Sequence, residues 1–215
     1  MTSDGNSKKT NILSIFNVRK DIEDILKIPL ITLKENADDI SEIRLEIAEI
    51  IKQFIYSDLP MHKVANEIIT HETAEDAHKM INSEFKKKAL AKIHRTRYEL
   101  EDIITKIKID YYPSALTIQG NSESLLKTSK IEAITDSALN KLVSTNAQKE
   151  REVEYIMKDH NYYFDKINIE FKMVKNYLVW VEDQIDYANK MDSFIRLNKQ
   201  LDESLMFGQG GSLEI

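Results

Sequence analysis

The chain contains no cysteine. Disulfides and thiolate metal sites are therefore excluded, and a reducing compartment fits. Only three prolines (Pro29, Pro60, Pro113) and five glycines punctuate 215 residues. Gly5 and Gly120 are isolated and Gly208, Gly210 and Gly211 cluster at the end, so no glycine-rich phosphate loop can form. No serine has the flanking glycines of a nucleophile elbow. No uncharged apolar run approaches the ~18 residues of a membrane span. The segment Met1–Thr10 is polar and lacks the apolar stretch of a secretion signal. A soluble, cytoplasmic protein is the expectation.

What remains between the breakers is long and rich in Ile, Leu, Glu, Lys and Ala, which are helix-compatible residues. The expected fold is all-α, with long helices in a bundle or coiled-coil arrangement and an oligomeric state. The spacing predicts a flexible tail at 1–10, a helix over about 12–27 ending before Pro29, and a second over about 35–57 ending near Pro60. A helical region follows over 61–112, with a possible break at Asn82-Ser83. Pro113 to Ser124 reads as a loop, followed by helices over about 125–145 and 148–205. The larger divisions are an N-terminal helical segment at 11–83, a helical core at 84–205 and a flexible tail at 206–215.

Two segments carry heptad spacing. One comprises Ile40, Ile43, Ile47, Ile50 and Phe54. The other runs through Val153, Met157, His160, Phe164, Ile167, Phe171, Val174, Leu178, Val181, Ile185 and Ala188. Such seams arise in coiled coils between chains and in antiparallel bundles within one chain. The apolar length of the second favours an interface between chains, because a lone helix would expose too much of it. His160 on that seam reads as a buried, hydrogen-bonded residue rather than a metal ligand.

One metal-like pattern occurs: His71, Glu75 and His78 share a helix face, and Glu75–His78 has the E-x-x-H spacing of di-iron bundles. That chemistry needs a second E-x-x-H, and the chain has none. A solvated face is the better reading, and no catalytic residue, metal or cofactor is expected.

The net charge is −6, yet the window Phe85–Arg97 holds Lys86, Lys87, Lys88, Lys92, Arg95 and Arg97 and no acid. Lys88, Lys92 and Arg95 share a helical face, and Lys106 lies near its continuation. Lys106, Lys108, Tyr111 and Tyr112 follow shortly downstream. Clustered cations bind phosphates, and tyrosines stack on unpaired bases. A solvated basic face offset by acidic faces elsewhere has the same composition.

The stretch Thr105-Lys106-Ile107-Lys108-Ile109-Asp110-Tyr111-Tyr112 resembles the Leu-Lys-Ala-Arg-Leu-Asp-Tyr-Tyr motif of the UvsY family of phage recombination mediators. Lys106 matches the motif lysine. Lys108 stands where the family has arginine, which keeps the charge and loses the planar fork. Ile107 replaces a small alanine. The likeness extends over about 84–195, through the lysine-led segment Leu126-Lys127-Thr128-Ser129-Lys130. It implies an all-α homo-oligomer that binds single-stranded DNA without sequence preference. It further implies loading of a RecA-like recombinase onto DNA covered by single-strand-binding protein. Taken with the basic window, the expected DNA contacts are Lys88, Lys92, Arg95, Lys106 and Lys108 on the backbone, with Tyr111 or Tyr112 stacking on bases. A phage scaffolding or coiled-coil assembly protein without DNA binding is the alternative.

Overall fold

The computed structural model describes residues 4–64, 66, 83–143 and 145–208. Every secondary-structure element among these residues is helical, so the fold is all-α. We number the elements α1 (Asp4–Tyr56), α2 (Ser83–Lys106), a π turn (Ile107–Tyr111), α3 (Tyr112–Thr135), α4 (Ser137–Leu142), α5 (Asn146–Ile156) and α6 (Lys158–Gly208). Two compact units emerge. The first takes the described residues of 1–45 and 112–174, the second those of 46–111 and 175–215.

The expected break at Pro29 does not occur: α1 is one helix of 53 residues with Pro29 inside it, and it already covers 4–10. Proline deprives the carbonyl four residues back of its donor. Here that residue is Ile25, which lies on the exposed side of the helix. Leu26, Leu33, Ile40, Ile47 and Phe54 follow at steps of seven and are all buried, so one apolar column runs through the proline. Its burial offsets what the proline costs the helix.

The expected loop at 113–124 is also helical. α2, the π turn and α3 form an uninterrupted helical run from Ser83 to Thr135. A π turn admits one extra residue. It lies immediately upstream of Pro113, where an α-helix would need the missing N–H to reach Ile109. Gly120, the other loop signal, is simply an exposed helical residue.

The remaining breaks have side-chain causes. Asp136 Oδ1 accepts from Leu139 N at 3.0 Å and so caps α4. Thr145 Oγ1 accepts from Gln148 N at 3.3 Å and caps α5. The helix expected over about 125–145 therefore breaks at Asp136 and ends at Leu142, and the next begins at Asn146 with a short interruption at Met157.

The first unit has a core of Ile22 and Leu26 from α1, Ala133 from α3, Leu139 from α4, Val153 and Ile156 from α5, and Val143 and Met157 from the links on either side of α5. α3 turns small residues inward (Ala115, Ser122, Ser129, Ala133), which lets helices approach closely. Polar clasps fix the register: Asn36 donates to Ser122 at 2.9 Å, Gln119 to Asn168 at 3.3 Å, and Arg44 pairs with Glu170 at 2.8 Å. The second unit is centred on Met61, Val64, Ala89, Ile93, Ala188 and Ile195. Phe54 meets Trp180 edge-on at 6.3 Å. Ser57 and Lys63 finish α1: the Lys63 ammonium donates to the Ser57 carbonyl at 2.7 Å.

Along the seam that runs from α5 into α6, Val153, Met157, His160, Ile167, Phe171, Val174, Leu178, Val181 and Ala188 are buried, and Phe164 and Ile185 half-buried, within one chain. Intrachain packing covers the seam, so it is not the exposed stripe that favoured an interface between chains.

Candidate nucleic-acid interface

α2 is amphipathic for a plain reason. Ala89, Ile93, Thr96, Leu100 and Ile103 recur at steps of three and four and are buried. Thr96 satisfies its hydroxyl by donating to the Leu59 carbonyl at 2.7 Å. The lysines and arginine between these positions are thereby turned outward. Lys88 and Arg95 are exposed and Lys92 is half-buried, all on one stripe.

That stripe does not continue as pure positive charge. Glu99 and Asp102, both exposed, occupy the next two positions on it, and Lys106 comes after them. The basic character is thus concentrated in the first half of α2. Arg97 is directed elsewhere, 3.4 Å from the Glu101 carboxylate.

Three of the expected contacts are engaged within the protein. Lys108 donates to Glu182 at 2.8 Å, a pair about half exposed. Tyr111 is half-buried; burial first, then the hydrogen bond it donates to the Glu46 carboxylate, pushes its phenol above the ordinary range. Tyr112 belongs to the first unit, where its ring stacks on the buried Phe171 ring with centroids 5.9 Å apart. The Tyr-Tyr pair is therefore divided between two units, and neither ring is an open platform for a base.

An aromatic that the motif did not point to is open. Tyr98 is 59% exposed, with the Arg97 guanidinium 5.5 Å from its ring centroid. It projects from α2 close to the Lys87 side of the Lys88–Arg95 stripe. Its signal in the sequence was its place directly after Arg97 at the end of the acid-free window. Lys87, Lys88, Arg95 and Tyr98 thus form a cationic patch with one exposed ring.

Beside this patch, His94 Nε2 sits 3.1 Å from Asp192, which also receives Arg196 at 2.8 Å. Among the described residues, no group of three or more His, Asp or Glu side chains could hold a metal ion. His71, Glu75 and His78 lie outside the described residues. No helix among the described residues is long and apolar enough to cross a membrane.

No family model matches the chain, and neither a curated protein nor a solved structure does.

Proposed function

We propose that the chain binds single-stranded DNA through the first half of α2 and acts as a recombination mediator without catalysis of its own. The observation that carries this reading is the outward cluster Lys87, Lys88, Arg95 and Tyr98, free of acids from Phe85 to Arg97 in a chain of net charge −6. Cations would hold phosphates, and the Tyr98 ring would offer a face to one base. The likeness of residues 105–112 to the UvsY motif supplies the mediator role. It also names the partners: a RecA-like recombinase, a single-strand-binding protein and further copies of the chain. Self-association would need a surface other than the α6 seam.

The test is an anisotropy titration with labelled oligo-dT at several salt concentrations. Each phosphate contact contributes a log–log slope of about −0.7. Lys88→Ala with Arg95→Ala should flatten the slope by about 1.4, equally for oligo-dT and mixed sequence. Lys106→Ala with Lys108→Ala should flatten it by less, because Lys108 already serves Glu182. Tyr98→Ala should weaken binding with the slope unchanged. Binding by Lys88→Ala/Arg95→Ala that equals wild type reduces the patch to a solvated face.

A second reading has its own observation. Glu99 and Asp102 interrupt the basic stripe, and Tyr111 and Tyr112 are committed to internal contacts. A helical assembly protein without DNA binding has the same features, and absence of salt-dependent oligo-dT binding would select it.

A further inference from the structure

His160 is 3% exposed, and its Nε2 lies 3.0 Å from the Leu26 carbonyl. A carbonyl only accepts, so Nε2 carries the hydrogen and Nδ1 is left as a bare lone pair. Nδ1 is buried and has no hydrogen-bond partner. The bonded carbonyl belongs to the turn that Pro29 interrupts, one residue from the Ile25 carbonyl that loses its donor. The neutral ring therefore secures the weakest turn of α1 to the start of α6, both inside the first unit.

We propose that His160 is an acid-sensitive latch on the proline turn of α1, closed while the ring is neutral and buried, and opened when the cost of burying the protonated ring drives it out of the core. A proton added at Nδ1 creates a buried charge and a buried N–H with no acceptor, and each is costly. The charged groups that share its cleft, of about 380 Å³, are Glu23 from α1 and Lys158 and Asp159 at the start of α6, with the Tyr155 phenol from α5. None of them hydrogen-bonds Nδ1. Burial lowers the His160 pKa below the ordinary 6.5, opposed by the Leu26 hydrogen bond and the Asp159 charge. The unfolded chain thus takes up this proton first. The stabilising effect of the neutral ring is complete above pH 6.5 and is lost as pH falls from there toward the lower folded value.

The test compares urea midpoints of wild type and His160→Gln at pH 7.5, 6.5 and 5.5. Glutamine keeps a side-chain N–H donor and cannot titrate. Wild type should lose stability as pH falls, with the unfolding constant rising by up to about tenfold per pH unit within the window. His160→Gln should stay flat, while His94→Gln, whose histidine lies in the second unit, should keep the wild-type fall. Hydrogen-exchange protection factors in wild type should drop at residues 26–33 before they drop in α2. If His160→Gln fails to fold, an NMR titration of the wild-type imidazole decides the matter. A His160 that titrates at or above the ordinary value overturns the latch, as does His160→Gln falling in parallel with wild type.

Discussion

Pro29 and Pro113 both lie inside helical runs, and the protein accommodates them in opposite ways. Around Pro29 the buried column keeps its step of seven: Leu26, Leu33, Ile40, Ile47, Phe54. Around Pro113 it does not. Ile93, Leu100 and Ile107 are seven apart, the next buried residue is Ala115 at eight, and Ser122 and Ser129 resume at seven. The π turn Ile107–Tyr111 absorbs that one extra residue. The first proline is overridden by packing and a histidine; the second is accommodated by a change of register. A proline in a sequence thus reports a missing donor, and the columns on either side decide whether the helix continues in phase, shifts or stops.

The largest effects should come from the column residues beside each proline. Leu26→Ala and Ile107→Ala remove side chains that are 1% and 0% exposed. Each should cost about 3 kcal/mol, within the ~2–5 seen for such truncations. Urea denaturation measures both. A cost under about 1 kcal/mol for Ile107→Ala would show that the π turn slides to fill the hole, and that its register is not pinned.

Pro29→Ala comes next and should stabilise. It restores a donor to the Ile25 carbonyl and replaces a residue that disfavours helix interiors by ~3 kcal/mol. Proline's restriction of the unfolded chain returns ~0.4–1 kcal/mol of that. A net gain of about 2 kcal/mol is expected. A loss instead would mean that the path of α1 depends on the bend, and that the histidine bond to Leu26 needs it.

Much of this was readable beforehand and some was not. The all-α class followed from the rarity of breakers, and the column Ile40–Ile47–Phe54 followed from spacing. Burial of Met157, His160 and Phe171 was also visible as periodicity, but periodicity carries no information on which partner covers a seam. The loop at 113–124 was read from Pro113 and Gly120, two local signals that the flanking columns outvote. The eight-residue step from Ile107 to Ala115 was present in the sequence and marks the π turn. The caps Asp136 and Thr145 were equally visible, the latter with Gln148 three residues on. At the candidate interface, the Lys88–Arg95 stripe was legible from helical spacing. The internal partners Glu46, Phe171 and Glu182 lie far off in sequence from Tyr111, Tyr112 and Lys108, so no local pattern announces them.

Gly120→Ala tests the same helical run at a point without a proline. The residue is exposed, and an added Cβ meets nothing within 4 Å. Alanine should stabilise by about 0.5–1 kcal/mol, through helix propensity and a less free unfolded chain. A destabilised variant would place a turn there after all.

Pro113→Ala should have the smallest effect, although proline is nominally the worse helix residue. The eight-residue step from Ile107 to Ala115, between steps of seven on either side, is the phase of a π turn and not of an α turn. That phase follows from which residues are buried rather than from residue 113, so the substitution should leave the π turn in place and gain little from the added donor. The midpoint should move by less than about 1 kcal/mol, against about 2 for Pro29→Ala. Equal gains from the two substitutions would show that the π turn is imposed by Pro113 itself. A clear difference places its cause in the buried columns on either side.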